Sequence, residues 1–149
     1  MLNENARPFE LLLVEDEPAD ANLVRSALRE NKVLCNMHHV LDGVDALAFL
    51  RRKGADYTNA PQPDLILLDL NMPRMNGREF LAEIKADGGL AGIPVVVLTT
   101  SDVERDVVAS YKLGASGYIT KPVDMEQFID AIRQLENYWF TLARLPGRV

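Results

Sequence analysis

The chain has 149 residues, a common size for one globular domain with a single substantial core. Its hydrophobic fraction of 48% and charged fraction of 26% are ordinary for such a domain, and no apolar run approaches the roughly 20 residues that span a bilayer. The net charge is −6 and the 16 lysines and arginines are scattered, which argues against binding to nucleic acid.

Short apolar runs alternate with amphipathic segments along the chain. Three of the runs are apolar at consecutive positions, as expected of strands that are covered on both faces in a parallel sheet. The five predicted strands are Glu10–Val14, Asn36–Leu41, Leu65–Leu68, Ile93–Leu98 and Gly117–Thr120.

The amphipathic segments predict one helix after each strand. The predicted helices are Pro18–Glu30, one following the LDG sequence at 41–43, one between Asn76–Gly77 and Gly88–Gly89, Val103–Leu113 and Asp124–Ala143. In the first two of them, the residues expected to face inward include Leu23, Val24, Ala27, Leu28, Val44 and Leu47.

Five βα units predict a single α/β domain with a doubly wound, five-stranded parallel sheet. The expected strand order is the flavodoxin-like 2-1-3-4-5, with helices on both faces. We place this domain at residues 10–137, between an N-terminal segment at 1–9 and a C-terminal extension at 138–149.

Carboxylates collect where two predicted strands end. Glu15 and Asp16 follow the first strand and Asp69 ends the third, and ligands of such sheets bind between these two strands. Carboxylates held close together raise each other's pKa values or require a compensating cation, and the hard Mg²⁺ ion prefers oxygen ligands. Taken alone, the sequence EDE is also typical of a solvated charge run that opens a helix, which is the role expected of Glu17.

Two further strand ends carry polar groups that suit phosphoryl transfer. Thr99 follows the fourth strand and Lys121 follows the fifth. Each has an ordinary alternative role, since a threonine there is commonly a helix cap and a lone lysine is usually a surface residue. A hydroxyl and an ammonium facing an aspartate and a metal ion would form a site in which Asp69 is the nucleophile.

Four motifs in this order resemble the receiver domain of two-component response regulators: LLLVEDE, LILLDLNMPRMNG, PVVVLTTS and ASGYITKP. The resemblance runs from about Leu11 to Leu135. It implies that Asp69 accepts a phosphoryl group from a phosphohistidine of a sensor histidine kinase. The protein would then be a signalling switch that catalyses only its own phosphorylation and slow dephosphorylation, rather than an enzyme.

The resemblance also implies a metal site. Glu15 and Asp16 stand where the family's acidic pair holds Mg²⁺ beside Asp69, and the backbone carbonyl of Asn71 stands where a further ligand is supplied. Glu15 is longer than the aspartate that also occurs at this position, which leaves open whether it binds the metal directly or through water.

The remaining implied positions surround the phosphoryl group. Thr99 and Lys121 stand at the family's hydroxyl and lysine positions. Tyr118 stands at the aromatic position associated with switching, and its alternative role is a half-buried ring on an edge strand. Val123 occupies a position where phenylalanine is frequent, which affects the fit of the fifth helix.

Three alternative functions agree less well with these residues. A receiver-like interaction module that is never phosphorylated would lose the lysine, the aspartate or the acidic pair, all of which are present here. A flavin-binding protein would need a phosphate-binding loop where this chain has VEDEPAD, and an aspartate phosphohydrolase would typically carry a second acid where Asn71 stands. The phosphorylated receiver is therefore favoured, with the interaction module as the alternative.

The C-terminal region carries three consecutive aromatic residues, Tyr138, Trp139 and Phe140. On a helix they span about 200°, so at least one ring is expected to face solvent or another chain. The sequence YWFTLARLP and the long loop before Asp64 resemble the stand-alone receivers associated with bacterial and cyanobacterial phytochromes. That resemblance implies a homodimer involving these aromatic residues and a phytochrome histidine kinase as partner.

The N-terminal sequence and the cysteine content indicate where in the cell the protein is expected. The first ten residues lack the basic and apolar regions of a secretory signal, and the single cysteine, Cys35, forms no internal disulfide. We therefore expect a cytoplasmic protein with no membrane association. The chain is also expected to lack a DNA-binding output domain.

Overall fold

The computed structural model describes residues 9–31, 34–70, 74–99 and 114–120, together with 112, 126, 128–130 and 133. Its elements in chain order are β1 (Phe9–Val14), α1 (Pro18–Glu30), β2 (Cys35–Val40), α2 (Gly43–Arg51), a 3-10 helix (Ala55–Tyr57), β3 (Leu65–Asp69), α3 (Gly77–Lys85), β4 (Val95–Thr99) and β5 (Gly117–Thr120). None of the helices among these residues is long and apolar enough to cross a membrane. The predicted fourth and fifth helices lie mostly outside the described residues, and the predicted domain limits stay predictions.

The five strands form one parallel sheet in the order β2-β1-β3-β4-β5, which confirms the predicted topology. Val14 at the end of β1 lies opposite both Val40 and Leu68, and Asp69 lies opposite Leu98. The carboxyl ends of β1, β3 and β4 are therefore level with one another. The strand order reverses between β1 and β3, where open α/β sheets bind their ligands.

Alternate residues of β1 and β3 enter two separate cores, one on each face of the sheet. Leu12, Val14, Ile66 and Leu68 belong to the core that contains residues of α2 and α3. The intervening leucines belong to the core formed with α1 and with Phe128 and Ile129: Leu11, Leu13, Leu65 and Leu67. Burial of each such side chain contributes about 1.5–3 kcal/mol, so consecutive apolar residues follow from helices on both faces.

Each of the first three helices begins with a side chain that caps its free N–H groups. Glu17 accepts a hydrogen bond from the backbone of Ala19 at 3.3 Å before α1, in keeping with its expected role at the start of a helix. Asp42 caps α2, and Asn76 caps α3 in a capping box with Glu79. These caps satisfy N–H groups that have no partner within the helix, and α1 and α2 start within a few residues of the ends of β1 and β2.

The prediction that Leu23 and Val44 face the core is wrong. Leu23 is 46% exposed, and α1 buries Ala21 with Val24, Ala27 and Leu28 instead. Val44 is 42% exposed, because the first turn of α2 turns Gly43 inward, against Met75. A Cβ atom at Gly43 would lie 2.7 Å from Met75 Cγ, so this part of the helix approaches its neighbour too closely for a side chain.

Candidate functional site

Three carboxylates meet at the carboxyl edge of the sheet. Glu15 and Asp16 directly follow β1, Asp69 ends β3, and one ligand oxygen from each lies within 4.8 Å of the others. Glu15 is fully buried and Asp69 is 4% exposed, whereas Asp16 is exposed. The structure thus brings together the three acidic residues that the sequence places at neighbouring strand ends, with one of them open to solvent.

The oxygen atoms of this cluster fit a divalent cation. Metal–oxygen distances of about 2.1–2.5 Å separate ligands on opposite sides of an ion by about 4–5 Å, which is the spacing available here. Carboxylate oxygens are the ligands that Mg²⁺ and Mn²⁺ prefer over nitrogen or sulfur. The donor set is therefore compatible with a single hard ion shared by Glu15, Asp16 and Asp69.

The loop that carries Glu15 and Asp16 is held from β2. The Glu15 N–H donates to the Val40 carbonyl at 3.0 Å, and the Glu15 carboxylate accepts from the Glu17 N–H at 3.1 Å. The Glu15 carbonyl lies 2.7 Å from His39 Nε2, which must be the donor because a carbonyl oxygen only accepts. His39 therefore fixes the peptide between the two acidic residues, a role that no motif in the sequence indicates.

Asp69 is held by the close approach of α3. The Leu70 N–H donates to the Leu98 carbonyl at 3.2 Å, and the Leu70 carbonyl accepts from the Gly77 N–H at 3.0 Å. A Cβ atom at Gly77 would lie 2.6 Å from both the Asp69 carbonyl oxygen and Leu70 Cα. Only glycine leaves room for the first residue of α3 to rest on the end of β3.

An ion-pair network joins the segment after Asp69 to the start of α2. Arg74 donates from Nε to Asp42 Oδ2 at 2.6 Å and from Nη2 to Asp45 Oδ1 at 3.1 Å. Burial raises the pKa of Asp42, but the hydrogen bonds from the Asp45 N–H and the Arg74 guanidinium outweigh it, so this pKa lies below its usual value. Neither Arg74 nor Asp42 was predicted as a site residue from the sequence. There, Arg74 is typical of a turn and Asp42 of a helix cap.

The other predicted site residues are described in part or not at all. Thr99 is the last residue of β4, one position beyond Leu98, which pairs with Asp69, so its backbone lies at the same edge. Tyr118 lies on β5 and is 38% exposed, which leaves both of its predicted roles open. The predicted residues outside the described part of the chain are Asn71, Lys121, Tyr138, Trp139 and Phe140.

A family model for the response regulator receiver domain matches residues 11–133. The chain belongs to this receiver family. Response regulator Rcp1 of Synechocystis sp. (strain PCC 6803) is 44% identical to the receiver over 147 residues, covering 99% of each chain. The family predicted from the four motifs is therefore confirmed.

Solved structures give the same result for the fold. The phosphorylated cyanobacterial phytochrome response regulator RcpA has a TM-score of 0.76 and 46% identity, covering 94% of this receiver and 99% of that chain. The Mn²⁺-bound form of Rcp1 has a TM-score of 0.75 and 44% identity, covering 94% of this receiver and all of that chain. One relative is thus known in a phosphorylated form and another with a divalent metal ion.

Proposed function

We propose that Asp69 accepts a phosphoryl group from a phosphohistidine of a sensor histidine kinase. The observation that carries this proposal is the placement of a buried Asp69 at the end of β3, with oxygen atoms of Glu15 and Asp16 within 4.8 Å. These three carboxylates, with the backbone carbonyl of Asn71, would hold Mg²⁺. Bound Mg²⁺ would offset the negative charge of the transferring group.

In this reaction a carboxylate oxygen of Asp69 attacks the phosphorus in line with the leaving nitrogen. The P–O bond forms as the P–N bond breaks, and its electron pair returns to the donor imidazole. The hydrogen bond between Leu70 and Leu98 fixes the backbone after Asp69 against β4, so Asp69 loses little orientational freedom when it reacts. Thr99, at the end of β4, and Lys121, directly after β5, would contact the phosphoryl oxygens.

The phosphoryl group would act as a ligand that binds two states of the receiver with different affinity. Contacts with Thr99 would move the end of β4, and Tyr118 on the neighbouring strand would respond as the switch residue. Asn71 stands where a hydrolase would carry a second acid, so dephosphorylation is expected to be slow. The output would be a change in the protein surface that a partner recognises.

Incubation with acetyl phosphate and Mg²⁺, followed by intact-mass measurement, tests this proposal. Native protein should gain one phosphoryl group and Asp69→Asn should gain none. Asp64→Asn is the matched control, because Asp64 lies just before β3, at the opposite edge of the sheet, where it accepts a hydrogen bond from the Glu10 N–H. The proposal fails if the native chain stays unmodified, or if Asp69→Asn is modified as fully as the control.

We further propose that the donor is a phytochrome histidine kinase and that the transfer takes place in the cytoplasm without nucleic acid. The support is the 46% identity to a phytochrome response regulator over almost all of both chains. Transfer from a purified cyanobacterial phytochrome kinase should be much faster than transfer from a sensor kinase of another stimulus. Equal rates from the two kinases would remove the phytochrome assignment.

We also propose that the extension at 138–149 joins two copies of the receiver. Its support is the sequence alone: on a helix, Tyr138, Trp139 and Phe140 would span about 200°, so they could not all face the same core. Sedimentation velocity of the full chain should show a dimer that dissociates in Trp139→Ala. Leu23→Ala, which changes an exposed apolar side chain on α1, should leave the dimer intact. If both variants remain dimers like the native protein, the extension does not form the interface.

A further inference from the structure

Two consecutive residues of β2 hold Glu15, the fully buried residue of the carboxylate cluster, by its main chain. The Val40 carbonyl accepts a hydrogen bond from the Glu15 N–H at 3.0 Å, and His39 Nε2 donates to the Glu15 carbonyl at 2.7 Å. The paired register of β1 and β2 ends at Val14 and Val40. The His39 side chain therefore extends the attachment to β2 as far as the peptide that joins Glu15 to Asp16.

The two acidic residues joined by this peptide depend on it to different degrees. Glu15 has attachments of its own, because it is buried in the protein and its carboxylate accepts from the Glu17 N–H at 3.1 Å. Asp16 is exposed, and its carboxylate reaches the cluster from the peptide that His39 holds. Each residue has two soft backbone torsions, so without the hydrogen bond from His39 this peptide can rotate and redirect the Asp16 side chain while Glu15 stays in place.

The preceding residue, His38, has a different environment. Successive side chains of a strand point to opposite faces of the sheet. The His38 ring lies 5.2 Å from the ring of Phe49 in α2, and its Nε2 lies 3.3 Å from the Glu10 carboxylate. Two adjacent histidines of β2 therefore contact different parts of the protein, and His39 is the one that contacts the carboxylate cluster.

We propose that His39 is a positioning residue that sets the affinity of the carboxylate cluster for a divalent cation by fixing the peptide from which Asp16 extends. The inference rests on the proposed function, since it takes the cluster to be the metal site. His39 lies outside the cluster and binds the Glu15 carbonyl, so it acts on the metal through the chain that it holds. Partners that orient metal ligands typically change metal affinity by about 10- to 100-fold.

A pair of amide variants tests whether the hydrogen bond sets this affinity. Glutamine can place an amide N–H near the position of His39 Nε2, whereas asparagine is one methylene too short to reach the Glu15 carbonyl. The electron paramagnetic resonance signal of free Mn²⁺ gives the dissociation constant of the full-length protein for this ion. His39→Asn should raise the constant by about tenfold, and His39→Gln should keep it close to the native value. Equal constants for the two variants would overturn the proposal.

A double-mutant cycle with Asp16→Ala tests the route of the effect. Residues that act through one another give non-additive changes. In the Asp16→Ala background the ligand that His39 positions is absent, so adding His39→Asn should leave the Mn²⁺ dissociation constant nearly unchanged. If His39→Asn weakens binding as much in this background as in the native protein, His39 does not act through Asp16 and the proposal is wrong.

His38→Asn is the matched control for the loss of a histidine from β2. Its Mn²⁺ dissociation constant should equal that of the native protein, because the His38 ring contacts Glu10 and Phe49 instead of the cluster. A loss of affinity equal to that of His39→Asn would mean that any disturbance of β2 weakens the site, which would overturn the proposal. His39→Leu takes the place of His39→Asn if the latter does not fold.

Urea unfolding of the metal-free variants separates positioning from general stability. A purely structural role would lower the free energy of unfolding of His39→Asn and leave its Mn²⁺ dissociation constant at the native value, which would overturn the proposal. Phosphorylation of native protein and Asp69→Asn by acetyl phosphate is measured alongside. If Asp69→Asn is modified like the native chain, the proposed function fails, whereas an unchanged dissociation constant of His39→Asn removes only the positioning role.

Discussion

Replacing Gly77 by alanine tests how closely α3 must approach the end of β3. The new methyl group would lie 2.6 Å from the Asp69 carbonyl oxygen, 2.6 Å from Leu70 Cα and 3.1 Å from Leu70 Cδ2. The two nearest atoms are backbone, so the clash is relieved only if the start of α3 or the end of β3 moves. Overpacking of this kind costs about 1–3 kcal/mol, and the lower chain entropy of alanine returns up to about 1 kcal/mol. We expect the free energy of unfolding to fall by about 1–2 kcal/mol.

Urea unfolding followed by far-ultraviolet circular dichroism measures this loss, with Gly92→Ala as the control. A methyl group at Gly92 meets no atom within 4 Å, and the residue is exposed, so its stability should stay level or rise by about 0.5 kcal/mol. Because either shift changes the packing directly beside Asp69, phosphorylation by acetyl phosphate should also slow. Equal stability of the two variants would refute the close-approach argument.

Three further predictions concern hydrogen bonds around the site. His39→Leu should weaken Mn²⁺ binding by about tenfold, whereas His38→Leu, whose ring contacts Glu10 instead, should leave the dissociation constant unchanged. Asp42 has a lowered pKa in the folded state, so its contribution to stability is complete above the pKa of the unfolded chain, about 4, and is lost as the pH falls through the lower folded pKa. Urea unfolding of Asp42→Asn and native protein should therefore differ at pH 7 and converge once the pH falls below that folded pKa. Asn76→Ala removes the cap of α3 and should lower the free energy of unfolding by about 1 kcal/mol, as read from the urea midpoint.

The parallel sheet could be predicted because strands that are buried on both faces consist of consecutive apolar residues. Consecutive apolar residues in β1 and β3 report two cores directly, and the strand ends follow from the polar residues that come next. The buried faces of the helices were harder to predict from the sequence. Val44 was expected inside because it is apolar, but the first turn of α2 approaches Met75 so closely that only Gly43 fits there. Glycine has no side chain to mark it as buried.

The candidate site likewise contains some residues that could be predicted from the sequence and others that could not. Glu15, Asp16 and Asp69 could be predicted because each follows or ends a strand, so topology alone brings them together. His39 and Arg74 could not, because their partners are 24 and 32 residues away and no periodicity relates them. From the sequence alone, a histidine in an edge strand and an arginine in a turn are expected to be surface residues. Only the fold shows which groups their side chains bind.

Three different interactions thus hold the chain near the carboxylate cluster: the hydrogen bond from His39 to the Glu15 carbonyl, the close packing at Gly77 and the ion pair between Arg74 and Asp42. Salt distinguishes them, because it screens a half-exposed ion pair but acts little on a neutral hydrogen bond or on packing. The useful quantity is therefore the difference in the free energy of unfolding between each variant and the native protein, measured in urea at each ionic strength. Raising the ionic strength to about 1 M should bring the difference for Arg74→Gln toward zero, since the native pair is then screened as well. The difference for His39→Leu should stay constant, and a parallel fall of both differences would mean that the two residues do not act through separate interactions.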